Sequence, residues 1–384
     1  MKRTKSYMIA MLSATTLLCA GISGCDYVPG MYSAQPKQES MVQTGEEAEA
    51  KDGIGKEDTE EMVDIVNSYD NTEELLVKYP VINQTPVDTE LEKSIENRLL
   101  TGFENWNRGY DAWKAWGDIL YTPNSIYNVH GARMTLREYQ DTMDVLLKQT
   151  DIRMGDFHNM LITDDWTAIY YDTENIDPST GESSPARVME FVQFKDYGEE
   201  LGTRVVEGWG GHKDQSYESM IMFLGEEERA KLQECYDGIV DYELPETEDL
   251  NEKYQILYPT GFASEYGETI KAAILQDFEK WNEGIDAWAE WVDTYYDEGA
   301  VCNVNDEDIS LEEYKDYLRN EAETVQKTRI YFDNMLIRDN WAAIHYRTVD
   351  TNLETGEKTD GDHMQFLEYE ISGDDVKVIG SWEQ

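Results

Sequence analysis

His158 and Glu190 are the two side chains whose types and surroundings best suit acid–base chemistry. His158 lies in the segment DFHNML, and Glu190 lies in VMEFVQF, which is otherwise almost entirely apolar. Burial and neighbouring groups tune the pKa of a carboxylate or a histidine to the task of a general acid or base. On neighbouring strands these two residues would form an acid–base pair, with His130 as a further candidate and Tyr170 as a possible donor. The alternative is that both histidines are hydrogen-bonded or surface strand residues and that Glu190 is exposed.

The sequence contains a long internal repeat, which tests this hypothesis. FENWNRGYDAWKAWGD begins at Phe103, and FEKWNEGIDAWAEWVD begins at Phe278, an offset of 175 residues. The same offset places FHNMLITDDWTAIYY at 157–171 on FDNMLIRDNWAAIHY at 332–346. A period this long indicates two tandem domains rather than a solenoid. We call them the first copy (71–212) and the second copy (251–384), joined by a connector with a helix (213–250).

The acid–base candidates are not repeated. The positions of His130, His158, Glu190 and Tyr170 hold Asn305, Asp333, Gln365 and His345 in the second copy. No histidine–carboxylate pair is therefore common to both copies, which argues against catalysis as their shared purpose.

The repeat also separates core tryptophans from candidate ligand contacts. Aromatic positions that become aliphatic in the other copy, such as Tyr110 and Ile285, behave as helix core. The remaining candidates for a pocket wall are aromatic in both copies or lie at the Tyr170 position. They are Trp113, Trp116, Tyr170, Trp288, Trp291 and His345.

The spacing of apolar residues predicts which elements position these side chains. Intervals of three and four predict one amphipathic helix from Phe103 to Leu120, and its repeat from Phe278. Thr135–Glu138 and Ser310–Glu313 have the form of a capping box, which predicts second helices over about 136–149 and 311–325. Four antiparallel strands are expected to follow, at about 152–163, 166–173, 187–195 and 202–210 in the first copy. Helices followed by strands indicate an α+β fold.

This order of elements resembles the nuclear transport factor 2-like superfamily, and within it the SnoaL-like polyketide cyclases. The tryptophan-bearing first helix, the Thr-Leu-x-Glu-Tyr start of the second helix and the four aromatic-rich strands carry the resemblance. It implies two tandem cones, each a strongly bent antiparallel sheet wrapped around a long helix, with an apolar pocket at the wide end. Members include cyclases, isomerases, dehydratases and domains that only bind, and many pair sheet to sheet. The two copies are accordingly expected to form an internal pseudo-dimer.

The N-terminus predicts a lipid anchor. Residues 1–25 combine a basic start with a short apolar stretch that ends in Ile22-Ser23-Gly24-Cys25, which resembles a lipoprotein signal peptide with lipid (palmitate) on Cys25. Residues 26–70 are polar and acidic and are expected to be a disordered tether. The predicted location is the extracytoplasmic face of the cell membrane, with a Gram-positive type of envelope favoured.

The composition limits the classes of partner and cofactor. A formal net charge of −48 opposes binding to nucleic acid or to anionic lipid headgroups. The acidic segment NVNDEDISLEE lacks the central glycine of a calcium loop, so neither a metal nor a cofactor is predicted. Cys235 and Cys302 are the two cysteines left after the signal and lipidation sites, and whether they pair stays open.

Two functions are compatible with these features. The first is a membrane-anchored binding or interaction lipoprotein that holds a small apolar or aromatic ligand in one or both cones, or docks an envelope protein. The alternative is an enzyme of cyclase, isomerase or dehydratase type that uses His158 or Glu190 in the first copy.

Overall fold

The structure is a computed structural model that describes residues 71–129, 132–147, 150–198, 202–211, 239–304, 307–373 and 375–384. The predictions for Cys25, the tether, His130, Cys235 and most of the connector fall outside these residues. Within them, no helix is both long and apolar enough to cross a membrane. Cys302 is a free, buried thiol, and burial raises its pKa to about 12.

In the described part of the chain, eight helices and fourteen strands form an α+β fold in which the second copy repeats the element order of the first. The first copy contains α1 (Thr72–Lys78), β1 (Val81–Asn83), α2 (Glu90–Asn107), α3 (Tyr110–Leu120), β2 (Tyr121–Val129), β3 (Ala132–Thr135), α4 (Leu136–Leu146), β4 (Asp151–Thr163), β5 (Trp166–Ile176), β6 (Ser183–Asp196) and β7 (Thr203–Gly211). The second contains α5 (Leu250–Lys253), β8 (Ile256–Pro259), α6 (Gly267–Glu283), α7 (Ile285–Tyr295), β9 (Tyr296–Val304), β10 (Glu307–Ser310), α8 (Leu311–Ala322), β11 (Val325–Arg338), β12 (Trp341–Asn352), β13 (Lys358–Ser372) and β14 (Asp375–Glu383).

The prediction of one continuous tryptophan helix was wrong, because two helices meet at a glycine in each copy. Gly109 separates α2 from α3 with φ 110°, and Gly284 separates α6 from α7 with φ 125°. These are backbone conformations that glycine adopts without steric cost. The apolar spacing continues across the break because both helices pack on the same core.

The capping boxes are confirmed. The side-chain oxygens of Thr135 and Ser310 each accept a hydrogen bond from the backbone N–H three residues on, and the carboxylates of Glu138 and Glu313 accept one from the backbone N–H of the cap residue. The helices that they start, α4 and α8, end somewhat earlier than predicted.

Each copy contributes one seven-stranded sheet. The four predicted strands are present as β4–β7, but the sheet is mixed rather than antiparallel. Its order is β1-β4-β5-β6-β7-β2-β3, and β1 pairs with β4, and β2 with β7, in parallel. The second sheet has the equivalent order β10-β9-β14-β13-β12-β11-β8. The added strands were missed because they are short or carry no simple apolar alternation.

The two faces of each sheet pack on different partners. One face, here called the inner face, lies against the helices of its own copy, where Phe103 stacks on Phe157 and Phe278 on Phe332, both at 4.2 Å between ring centroids. The opposite, outer face belongs to a cluster with members from both sheets, here called the inter-copy cluster. It contains Leu161, Trp166, Ala168, Tyr170, Met189, Phe191, Trp209, Leu336, Trp341, Ala343, Met364 and Phe366.

Candidate functional site

Glu190 lies on the inner face of the first sheet with two tyrosines as hydrogen-bond donors. Along β6 its neighbours Met189 and Phe191 belong to the inter-copy cluster, so strand alternation turns Glu190 to the helix side. Its Oε1 accepts a hydrogen bond from the Tyr171 hydroxyl at 2.6 Å, and its Oε2 accepts one from Tyr127, also at 2.6 Å.

Burial sets the protonation of this group. It raises the pKa of Glu190, and the hydrogen bonds from Tyr127 and Tyr171 offset part of that rise. Burial also raises the pKa values of both tyrosines well above 10, so that they remain donors. Glu190 is therefore a carboxyl group with a raised pKa that is hydrogen-bonded by two phenols. This setting suits recognition of a hydrogen-bond donor of a ligand, or proton transfer.

The second copy has an equivalent carboxylate, but it comes from a different strand. Glu383 in β14 accepts a hydrogen bond from the Tyr346 hydroxyl at 2.6 Å and one from Tyr314 at 3.3 Å. Tyr346 stands at the position of Tyr171, while the position of Glu190 is taken by the amide Gln365.

The sheet register explains the exchange. Glu190 lies directly opposite Gly210 on the next strand, whereas Gln365 lies opposite Glu383. In the second copy the carboxylate therefore lies on the neighbouring strand, and it still accepts a hydrogen bond from the equivalent tyrosine. A position-by-position comparison of the two copies misses it, but the glutamate at the end of GSWEQ was the available signal.

The two carboxylates differ in their charged neighbours. Burial alone would raise the pKa of Glu383, but the hydrogen bond from His363 and the charges of Arg329 and Lys327 bring it well below its usual range. Positive charges of its own copy therefore compensate the negative charge of Glu383, whereas the described groups that donate hydrogen bonds to Glu190 are phenols.

His363 lies between Glu383 and Thr348, in an arrangement that resembles the acid, base and nucleophile of a catalytic triad. Its Nδ1 lies 3.3 Å from Glu383 Oε1, and its Nε2 lies 3.2 Å from the hydroxyl of Thr348. The Thr348 hydroxyl donates to Asp350 at 2.6 Å, so it accepts from His363 rather than losing a proton to it. Thr348 is also only 1% exposed. This arrangement positions the imidazole and does not create a nucleophile.

His158 and Glu190 do not form the predicted pair. The His158 ring stacks on Tyr170 at 4.7 Å on the outer face, and its Nε2 lies 2.7 Å from Asp172. Glu190 is bonded on the inner face, so the two groups belong to separate networks. Asp172 in turn lies 3.5 Å from Arg187.

His345 occupies the corresponding network in the second copy. Its Nε2 lies 2.6 Å from Asp362, and its ring contacts Phe191 of the first copy at 5.5 Å. Ligand atoms of Asp333, His345 and Asp362 lie within 4.8 Å of one another, close enough to hold a metal ion. The Arg347 guanidinium, however, contacts Asp333 at 2.6 Å and Asp362 at 2.9 Å. A cation would have to displace this arginine, so the four residues fit an ion-pair network better than a metal centre.

The four tryptophans that were predicted to line a pocket are buried in the cores of their copies. Trp113 packs edge-on against Trp106 at 5.0 Å, and Trp116 donates to Thr101 at 3.3 Å. Trp288 is 1% exposed and donates to Asp277 at 2.7 Å. Tyr170 and His345, the other two predicted wall residues, lie on the outer faces instead.

A cavity in the second copy lies beside Trp291. Its volume is about 10 Å³, and Ile274, Asp277, Ile344 and Tyr369 are among its other lining residues. A single buried water needs about 10–15 Å³, so this space does not admit an organic ligand.

Comparison with protein-family models and with curated proteins gives no match for this chain. Among solved structures, it is similar to the putative hydroxylase AclR from Streptomyces galilaeus, with 16% identity over 33% of this chain and 95% of that one, at a TM-score of 0.27. A ketosteroid isomerase-like protein from Erwinia carotovora atroseptica has 17% identity over 31% and 94%, at a TM-score of 0.25. A putative SnoaL-like polyketide cyclase from Jannaschia has 14% identity over 33% and 88%, at a TM-score of 0.27.

Proposed function

We propose that this protein is a lipid-anchored, extracytoplasmic binding protein, and that its ligand is held by the first copy at Glu190. The observation that carries the proposal is the contrast between the two carboxylates. The hydrogen bond from His363 and the charges of Arg329 and Lys327 lower the pKa of Glu383. Burial raises the pKa of Glu190, whose described hydrogen-bond partners are phenols. None of the residues that the structure describes gives Glu190 a cationic partner; a buried acid in such a setting costs stability, and such costs are typical of functional positions.

The same contrast assigns different roles to the copies. The cavity beside Trp291 in the second copy measures only about 10 Å³, and we assign this copy the role of a supporting partner. Internal pairing of the two cone-shaped domains through their outer faces is supported by the inter-copy cluster. The ligand that suits Glu190 is small and largely apolar or aromatic, with one group that hydrogen-bonds to a carboxyl.

Native mass spectrometry of protein purified from its host without denaturation tests the ligand site. We expect a small-molecule adduct on the wild type that is lost in Glu190→Gln. Glu104→Gln is the matched control, because Glu104 also accepts a tyrosine hydroxyl, that of Tyr79 at 3.0 Å, in the same copy. An adduct that survives in Glu190→Gln, or disappears equally in both variants, would contradict the assignment.

Glu190→Gln is also expected to stabilise the protein at pH 7, by on the order of 1 kcal/mol. A raised folded-state pKa means that the folded protein holds this proton more tightly than the unfolded chain, whose Glu has a pKa of 4.5. Wild-type stability therefore falls as the pH rises from 4.5 through the folded-state pKa. Urea unfolding should show no gain for the variant near pH 4 and a growing gain above it. A loss of stability at pH 7 would show that Glu190 is an ordinary structural group.

The anchor makes a separate prediction. Cys25→Ser is expected to move the protein from the membrane fraction to the medium, because a single residue carries the lipid. Fractionation and the intact mass of the N-terminal peptide measure this. Retention of Cys25→Ser in the membrane would contradict the lipid anchor while leaving the ligand site untouched.

An enzymatic role for Glu190 is the second candidate, because a carboxyl with a raised pKa beside two phenols suits general acid–base catalysis. Incubation of the purified protein with the recovered ligand distinguishes the two. A ligand that stays unchanged supports binding, and a ligand that is converted by wild type but not by Glu190→Gln supports catalysis.

A further inference from the structure

The centre of the inter-copy surface is nearly the same in both copies. Its residues fall into pairs at equivalent positions of the repeat, which are Leu161 and Leu336, Trp166 and Trp341, Ala168 and Ala343, Met189 and Met364, and Phe191 and Phe366. A surface of this kind is self-complementary. On the evidence of its apolar centre alone, a first copy would pair as well with another first copy as with a second copy.

The rim of the surface is not the same in both copies. Arg338 of the second copy is 2% exposed, and its guanidinium donates to Glu92 of the first copy at 2.6 Å and to the Ile162 carbonyl at 2.7 Å. It also reaches the more exposed Asp88 at 2.7 Å. Burial alone would raise the pKa of Glu92, but hydrogen bonds from the Thr89 backbone and Arg338 bring it below its usual range.

The reciprocal contact does not exist. The position of Arg338 is Thr163 in the first copy, and the position of Glu92 is Gly267 in the second. A Cβ at Gly267 would lie 2.5 Å from the Cβ of Phe262, so this site is closed to a carboxylate. The second copy can therefore supply the arginine but cannot receive one.

A second rim contact is also one-sided. The Asp164 carboxylate of the first copy accepts the backbone N–H of Gly261 at 3.0 Å. The equivalent pair is Asp339 and Pro86, and proline has no N–H to donate.

We propose that the outer sheet face of each copy is built to pair only with a copy of the other type, and that Arg338 and Glu92 enforce this choice. In a pair of two first copies, each buried Glu92 would face Thr163. In a pair of two second copies, each buried Arg338 would face Gly267. Both arrangements bury a charge without its countercharge, which is strongly unfavourable. The apolar centre supplies the attraction, and the rim selects the partner.

The test uses the full chain with a protease site introduced between residues 212 and 238, which is cleaved after folding. Native mass spectrometry over a dilution series is expected to show joined first and second copies, then single copies, and no pair of identical copies. Pairs of two first or two second copies that form within tenfold of the mixed pair's affinity would overturn the proposal.

Variants in the same cleaved chain test the two charges. Arg338→Thr, which installs the first copy's residue, is expected to raise the dissociation constant roughly 100-fold or more. Adding Glu92→Gln should restore most of the affinity, because no buried charge then lacks a partner, and glutamine keeps the N-terminal cap of α2. Thr163→Ala, at the equivalent position of the first copy, is the matched control and should change the affinity less than threefold.

Folding and pairing are separated by a further measurement. Glu92→Gln alone keeps the shape of the site but leaves Arg338 facing an amide, and tryptophan fluorescence of the uncleaved chain reports whether each variant is folded. A folded Arg338→Thr or Glu92→Gln protein whose cleaved halves remain as tightly bound as the wild type would overturn the proposal. Failure of the Glu190 ligand experiment has no bearing on this result.

Discussion

Replacement of Arg329 by alanine is expected to lower the free energy of unfolding by about 3–5 kcal/mol, the cost of breaking a buried ion pair. Arg329 is 4% exposed, forms a salt bridge with Asp277, and lies over the rings of Phe278 and Trp281 at 4.9 and 4.6 Å. Its removal leaves the Asp277 carboxylate with the Trp288 N–H, at 2.7 Å, as its remaining hydrogen-bond partner within the described residues.

The first copy supplies the design of the compensating variant. The positions of Asp277 and Arg329 are Gly102 and Met154 there, so the same architecture exists without the ion pair. We expect Asp277→Ala combined with Arg329→Met to recover stability to within about 2 kcal/mol of wild type, because the two paired charges are removed together and Glu383 keeps His363 and Lys327. Part of the remaining loss, about 1 kcal/mol, is the hydrogen bond from Trp288.

Denaturant unfolding of the wild type, both single variants and the double variant measures the coupling. Arg153→Ala is the control, because the Arg153 side chain is 49% exposed and its pair with Asp151 lies at the surface, where such pairs are worth about 0–1 kcal/mol. If Arg329→Ala costs no more than Arg153→Ala, the buried pair is not a stabilising feature of the second copy.

The sequence predicted strands β4–β7 and the capped helices well, because these depend on local patterns. The strand predictions at 152–163 and 166–173 agree with β4 and β5, and the capping boxes begin α4 and α8. Comparison of the two copies identified helix core only in part, since Tyr110 and Ile285 pack against the cores of their copies but are partly buried. The glycine break was missed because the apolar spacing continues through Gly109, and only the backbone angle shows the change of direction.

The candidate site was harder to predict, because both faces of each sheet are buried. When one face of a strand is exposed, alternation shows which residues point inward, but here Tyr170 and Tyr171 are both 2% exposed. The residue selected as a site donor was Tyr170, which belongs to the inter-copy cluster, whereas its neighbour Tyr171 bonds Glu190. A difference of one residue along a strand moves a side chain to the opposite face.

The partner of a buried charge could not be predicted from the sequence either. Arg338 and Glu92 are 246 residues apart in the chain, and neither is repeated in the other copy. The Glu383 site depends on the pairing of β13 with β14, which places Gln365 opposite Glu383. Contacts of this kind follow from tertiary register, which local periodicity does not specify.

Replacement of Glu383 by glutamine is expected to destabilise the protein at pH 7 by roughly 2–3 kcal/mol, in the opposite direction to Glu190→Gln. The cost is set below the range for fully buried pairs because 22% of the Glu383 side chain is exposed, and solvent screens its charge. Glutamine would still accept the Tyr346 hydroxyl, but it would remove the negative charge that faces His363, Arg329 and Lys327.

The pH dependence distinguishes this loss from a simple packing defect. The folded-state pKa of Glu383 lies below the unfolded value of 4.5, so its contribution is complete above pH 4.5 and is lost as the pH falls toward the folded-state pKa. Urea unfolding at pH 7, 5.5 and 3.5 should therefore show a constant gap between wild type and Glu383→Gln at the two higher values and a narrower gap at pH 3.5. For Glu190→Gln the difference changes above pH 4.5 instead, because burial raises the pKa of that group. Equal effects of the two variants at every pH would mean that the copies hold their carboxylates in the same electrostatic environment, and the assignment of the ligand to the first copy would lose its basis.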